Sequence, residues 1–421
     1  MKNIVRSAVI GGASLAMTLG LTSCSRDYTV GYVYSVSKSN GTVSAYAIDY
    51  ETGILNQIAG SPFTTPFTNP TTLVAAPNNQ FVYVIGGSQN AQVEEFQVGT
   101  DGKLYGQHTY SLTGTYPTSA AIDTTGNFLY VTFQYQIGYS PASGGSGGVS
   151  IFKINADNSL GTPTTLNVGV NPVSIAVGTP ACVATPLIAK PASTSCTSAT
   201  GNATDGNNVY AYIVDQGTTG NAATVLGFAQ NMSTGALTPL SGTNMTTLQG
   251  ASAGVTPTGI AVDGTTRFVY VTDSAQNEVI GYSIDRGFTG NLTALTGSPF
   301  GTGQLPVSLT IDPRSEFLYT ANFNSGSISS FAISQSSGNL SAVAGSSFIG
   351  GAGLSCVTIE PALGQFLYTS DTTVNLISGG ELNTHTGVVS AVQDTPFPTA
   401  PLPSCLTSVA AGEHAINLIT P

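Results

Sequence analysis

Short runs in which aromatic and β-branched residues fill both alternating faces recur along the chain, as in Phe81-Val82-Tyr83-Val84 and Phe268-Val269-Tyr270-Val271. A strand that is apolar on both faces must be covered on both sides. Seven such runs are centred on Tyr34, Tyr83, Tyr130, Tyr212, Tyr270, Tyr319 and Tyr368, at spacings of 49, 47, 82, 58, 49 and 49 residues. Self-similarity near 50 residues predicts a β-repeat whose neighbouring units supply the missing cover. Before most of these runs lies a segment that opens with proline and closes near an acid, as in Pro257 to Asp263 and Pro306 to Asp312. After each comes a polar turn and a third strand with a central aromatic, Tyr46, Phe96, Phe152, Phe228, Tyr282 or Phe331, replaced in the seventh unit by Gly380. A tight turn follows: Thr52-Gly53, Asp101-Gly102, Asp157-Asn158, Thr234-Gly235, Thr289-Gly290, Ser337-Gly338 or Thr386-Gly387. Residues that tolerate positive φ belong in hairpins, so a fourth strand is expected directly after it.

Four strands per unit, called a to d from the inside outwards, and seven units predict an all-β, seven-bladed propeller of four-stranded antiparallel blades. The first proline-led strand begins at Pro70 and the seventh at Pro403, whereas the first tyrosine strand lies near Tyr34. Blade one therefore takes its inner strand from the C-terminal end (Ser404 to Ala410) and the other three from the N-terminal end. The expected organisation is a leader over 1–23, a linker over 24–30 and the propeller over 31–421, with an insertion at 179–208 between strands a and b of blade four. Residues 414–419 are strand-like but find no vacant position in this count.

Only 7% of residues are charged and glycine numbers 50, so solubility rests on hydroxyls and amides. That balance favours an extracytoplasmic setting. The net charge is −11, and removing Lys2 and Arg6 with the leader leaves 8 basic against 21 acidic residues, or −13. No basic stripe is available to neutralise phosphates, which argues against nucleic acid as a partner.

Met1 to Ser23 has a basic start and an apolar stretch from Ala8 to Leu21, the pattern of a secretory leader. Leu21-Thr22-Ser23-Cys24 resembles the bacterial lipobox, which implies that Cys24 is lipidated and anchors the chain to a membrane; Ser25 rather than Asp after it favours the outer membrane. Four cysteines remain, an even number that suits an oxidising compartment. Cys182 and Cys196 lie together in the insertion and are expected to close a short loop. Cys356 and Cys405 occupy the same repeat position, the third residue of strand a, where other blades have Thr72, Ser119, Ser174, Gly259 and Ser308. Inner strands of consecutive blades are neighbours, so this pair is expected to bridge blade seven to the C-terminal strand. Without a CxxC or a nearby His the cysteines do not read as a metal site.

Candidate chemistry centres on the channel end that carries the d–a and b–c loops. Strand b ends there with Asp215, Asp273, Asn322 and Asp371, three residues after the tyrosine, while Ser37, Gly86 and Phe133 differ. A partial carboxylate ring is a candidate for cation binding or general-base work, with Asn322 as a ligand contact, although the favoured reading is that these residues cap the strand. The acids that close strand a, Asp123, Asp263, Asp312 and Glu360, read as turn residues at the opposite end. His108, His385 and His414 share no repeat position, which leaves no His-based triad or metal set. Gly144-Gly145-Ser146-Gly147-Gly148 matches G-x-S-x-G but lacks the strand-turn-helix setting that motif needs. It falls in the longest b–c connection, Gln134 to Gly148, whose Tyr135 and Tyr139 are candidate contacts as a lid or as a protruding binding loop.

Pro306 to Asn322 (PVSLTIDPRSEFLYTAN) and Pro257 to Asp273 (PTGIAVDGTTRFVYVTD) resemble the lactonase-type seven-bladed propellers, the family of 6-phosphogluconolactonase-like and YVTN-repeat proteins. The resemblance covers roughly Gly31 to Ala410 and implies hydrolysis of a sugar lactone by charged side chains at the channel mouth. The chain departs from that expectation: Lys103, Lys153, Arg267, Arg286 and Arg314 do not cluster as a phosphate site would require, and no catalytic residue of the family maps onto it. Two readings follow. The favoured one is a lipid-anchored, monomeric module that binds a glycan, a peptide or a partner protein. The other is a lactonase-like carboxylic ester hydrolase acting on a small neutral lactone; neither needs a cofactor.

Overall fold

The alternating runs pair as the repeat requires. In the computed structural model, which describes residues 29–178, 209–218, 222–241, 243, 250–285, 289–345, 348 and 350–411, every named element is a β-strand and the strands form seven antiparallel sheets. Blade five is representative, with strand a at Pro257–Val262, b at Phe268–Asp273, c at Glu278–Ile284 and d at Leu292–Ala294. Its fourth strand is interrupted and resumes at Phe300–Gly301, which pairs with the start of strand c. Blades one, four and seven share this broken outer edge.

Blade one closes as the strand count predicts. Strand a, Pro403–Ala410, pairs with the first strand, Thr29–Ser37, in a register that sets Tyr34 opposite Thr407. Cys356 and Cys405 form a disulfide between adjacent inner strands, with Cα atoms 4.9 Å apart across a sequence separation of 49 residues. That spacing is ordinary for a disulfide. Cys24, Cys182, Cys196 and residues 414–421 lie outside the described residues.

Apolar side chains on both faces of strands b and c feed seven separate cores, one per blade interface. Between blades four and five, Tyr212, Val214 and Val225 meet Val269, Val271 and Tyr282 in one buried cluster. At Gly380, which departs from the aromatic pattern of strand c, an added Cβ would lie 2.5 Å from Val389 and 3.7 Å from the Phe348 ring, and both of these side chains belong to one core.

The strand tyrosines do more than fill these cores. Each hydroxyl crosses the interface and donates to a carbonyl in the c–d turn of the next blade: Tyr34 to Gly102 at 2.8 Å, Tyr83 to Asn158 at 2.7 Å, Tyr130 to Gly235 at 2.8 Å and Tyr212 to Gly290 at 2.6 Å. Tyr270 reaches Gly338 at 2.6 Å, Tyr319 reaches Gly387 at 3.3 Å, and Tyr368 closes the circle on Gly53 at 2.7 Å. Burial pushes these phenols well above their ordinary range, so they stay protonated donors. The turn glycines have positive φ, and a Cβ on Gly338 would lie 2.4 Å from the Phe268 ring, two residues before the donor tyrosine. Glycine is therefore required twice, by the turn and by the aromatic packed on it.

Tyr270→Phe is expected to lower stability by about 1–3 kcal/mol, because it strands a buried carbonyl with little loss of packing. Gly338→Ala should cost about 2–4 kcal/mol through the left-handed backbone and the clash with Phe268. Urea denaturation measures both; a neutral Tyr270→Phe would show that the interblade bond contributes nothing.

Candidate functional site

Strand a opens at the channel mouth with proline in six of the blades' a strands or their extensions, and proline brings a carbonyl without an N–H. Those carbonyls receive hydroxyls from the preceding blade: Thr118 to Pro172 at 2.9 Å, Thr258 to Pro306 at 2.9 Å, Ser355 to Pro403 at 3.3 Å and Ser404 to Pro70 at 3.1 Å. Blade four has Val173 in place of the hydroxyl, and the Gln216 amide takes over, donating to the Pro257 carbonyl at 2.7 Å. These side chains shape the rim of a pocket of about 410 Å³ at the mouth.

The pocket wall is neutral apart from Lys38. An amide chain runs along it: Gln134 Nε2 donates to Asn171 Oδ1 at 3.0 Å, and Asn171 Nδ2 donates to Gln216 Oε1 at 3.1 Å. Tyr116, with φ of 56°, presents its ring to the pocket and packs edge-on against Tyr135 at 5.7 Å between centroids. Lys38 is exposed and has no ion pair among the described residues. Hydroxyls, amides, an aromatic face and one ammonium suit a small ligand rich in hydroxyl groups.

The predicted carboxylates lie beside the mouth but face away from it. Asp215, Asp273, Asn322 and Asp371 all have 0% exposure. Asp215 accepts the backbone N–H groups of Val170, Asn171 and Gly217 at 2.8, 3.1 and 2.7 Å. Asp273 accepts those of Val255, Thr256 and Ala275 at 2.6, 3.0 and 3.0 Å. Asp371 accepts the Gly351 N–H at 3.0 Å and the hydroxyls of Ser378 and Thr369 at 2.5 and 2.9 Å. Asn322 donates to Ser329 at 2.9 Å. Each acid ties down the d–a loop of its own blade, and none is brought to a common point with another.

Where the acid is missing, something else fills its place. Phe133 does so in blade three, against Gly114 and Gly148, and Phe67 covers Gly86 in blade two. The acids at the far end of strand a serve similarly: Asp263 Oδ1 accepts the Arg267 and Phe268 N–H groups at 2.6 and 2.7 Å, and Asp312 binds its turn in the same way.

Lys38, Gln134 and Gln216 were not among the residues singled out by sequence. They stand four residues after the strand tyrosine, one beyond the capping position. Successive strand residues face opposite ways, so a one-residue offset separates loop anchors from pocket lining. Tyr135 is half-buried behind Tyr116, and Tyr139 stands out from the loop at 49% exposure. Ser146 of the G-x-S-x-G match accepts the Gln136 amide at 2.8 Å within that loop, with no helix following. Among the described residues no group of three or more His, Cys, Asp or Glu side chains is placed to hold a metal.

Burial raises the Asp371 carboxyl from 3.8 to about 6 despite its hydrogen bonds. The unfolded chain releases this proton near pH 4 while the folded one retains it. Its contribution to stability is therefore greatest below about pH 4 and is lost as pH rises through about 6, a change of roughly 3 kcal/mol. Asp371→Asn is expected to flatten that part of the stability profile, measured as urea midpoints between pH 4.5 and 7.5. An unaltered profile would show that Asp371 does not titrate in this window.

The family model "Lactonase, 7-bladed beta-propeller" matches residues 27–172 and 205–359. No curated protein is a significant match. Among solved structures, a candidate 6-phosphogluconolactonase from Bacteroides uniformis is similar at 17% identity and a TM-score of 0.67, covering 90% of this chain and 100% of its own. The periplasmic gluconolactonase of Pseudomonas aeruginosa is similar at 17% identity and a TM-score of 0.65, covering 91% and 100%. A protein from Lactobacillus plantarum follows at 14% identity and 0.63, covering 90% and 99%. At these identities the likeness to solved structures concerns the fold alone, but the family match covers well over half of the chain. The chain belongs to the lactonase family of seven-bladed β-propellers.

Proposed function

We propose that this protein is an exported, lipid-anchored propeller that binds a small, uncharged, hydroxyl-rich ligand, a neutral sugar or its lactone, at the channel mouth without turning it over. The observation that carries this reading is the pocket wall, where amides and hydroxyls converge and Lys38 is the sole charged side chain. Opening a lactone needs a base to activate water as well as a group to stabilise the oxyanion. The carboxylates nearest the mouth are 0% exposed and hold backbone N–H groups. Export is supported by the leader pattern ending at Cys24 and by the Cys356–Cys405 disulfide, a bond favoured by oxidising compartments.

The hydrolase reading draws on the family and on Lys38, whose ammonium is suited to an oxyanion. The two separate cleanly. With the mature chain and a panel of gluconolactone, galactonolactone and 6-phosphogluconolactone, acid release followed by pH-stat should not exceed the buffer rate. Calorimetry with neutral monosaccharides should show binding that weakens about tenfold in Gln216→Ala, the loss of one good hydrogen bond. Turnover that disappears in Lys38→Ala would establish the hydrolase instead.

In a Gram-negative host, metabolic labelling with a fatty-acid probe should mark the protein, and Cys24→Ala should release it from the membrane fraction. Unlabelled protein that still sediments with membranes would exclude the anchor.

A further inference from the structure

Charge is divided unequally between the two ends of the disc. Among the described residues, 38–41, 87–91, 137–147, 216–218, 222–223, 274–277, 323–326 and 372–375 after strand b, and 65–69, 112–113, 168–171, 253–256, 302–305, 343–345, 348, 350–353 and 399–402 before strand a, contain one charged side chain, Lys38. The turns at the opposite end carry Glu51, Asp101, Lys103, Asp157, Arg267 and Glu316, among others.

Apolar exposure is divided the other way. Of seven large hydrophobic side chains exposed among the described residues, five lie in the uncharged loops: Ile137 at 71%, Val255 at 59%, Tyr139 at 49%, Leu402 at 46% and Val374 at 42%. Ile137 and Tyr139 share one loop, and the Leu402 N–H donates to Asn375, the neighbour of Val374, at 2.8 Å, while Val255 stands apart on blade five. Ile137 and Tyr139 stand two and four residues beyond Tyr135, whose ring packs edge-on against Tyr116 of the pocket wall.

Beyond Lys38 and the fully buried acids that end strand b, the half-buried Glu278 at the start of strand c of blade five is the nearest charged side chain to these loops, so the face offers little to a charged partner. Anionic polymers would meet one lysine on a protein of net charge −11, and cationic ones would find no exposed carboxylate in these loops. A protein partner would be expected on a contiguous apolar core with charge at its rim, whereas here single apolar side chains are spread through Asn, Gln, Ser, Thr and Gly. Sugar rings have the matching chemistry, with hydroxyls for amides and C–H faces for tyrosine rings.

Building on the binding reading of the pocket, we propose that this face holds the chain of a neutral polysaccharide. One end occupies the channel pocket, and the following sugars run outward along blade three over Tyr135 and Tyr139.

The mature chain would be run in native gels containing laminarin, arabinoxylan, dextran or galactomannan, with polygalacturonate and alginate as anionic counterparts. At least one neutral polymer should retard it, and neither anionic one should. For that polymer, calorimetry should show affinity rising about tenfold from monosaccharide to pentasaccharide. Ile137→Ser combined with Tyr139→Ala should remove that gain and leave monosaccharide binding unchanged. Monosaccharide binding with no gain from chain length overturns the extended face while the pocket reading stands. Failure of all neutral saccharides overturns both, and retardation by the anionic polymers overturns the charge argument on which the face rests.

Discussion

The hydroxyl that each strand tyrosine sends across a blade interface is the constraint on which the disc depends. A hydrophobic seam between two sheets is non-directional and would tolerate sliding. A phenol donating to one carbonyl, with a neighbouring aromatic seated on a glycine turn, fixes each blade against the next. Because Tyr368 returns to Gly53, the seven bonds form a closed circuit that includes the junction of the chain ends. The Cys356–Cys405 disulfide adds a covalent tie at that same junction, on the inner strands.

Acidic side chains at both ends of strands a and b organise the loops. At one end Asp123, Asp263, Asp312 and Glu360 gather the N–H groups of the a–b turn; at the other, Asp215, Asp273 and Asp371 gather those of the loop entering strand a. A carboxylate accepting several backbone donors is a strong local clamp. Using it so withdraws it from solvent, and the channel mouth is left to neutral groups and Lys38. The character of the pocket wall follows from that allocation, since amides and hydroxyls line it in the carboxylates' absence.

Much of this architecture was legible in the sequence. Tyrosine spacing, proline-led inner strands and glycine turns are local signals that repeat, and repetition turns weak local preferences into a secure count of blades. The register also exposed Cys356 and Cys405 as equivalents, and their pairing follows from adjacency of inner strands. The capping role of the acids was readable for the same reason, as each sits at a fixed distance from its own tyrosine.

Which carbonyl each tyrosine addresses was not legible, because donor and acceptor stand 68 to 105 residues apart along the chain for the first six seams. Nor was the pocket. Lys38, Gln134 and Gln216 line it from blades one, three and four, with Asn171 bridging the two glutamines, and the position they share holds no one residue type across the seven blades. The sequence by itself determined the repeat, its closure and its loop anchors, since those depend on periods within one blade. Only the tertiary structure decided which side chains meet at the channel, because that meeting is made by curvature across blades, and a one-residue step along a strand turns a side chain from the loop towards the pocket.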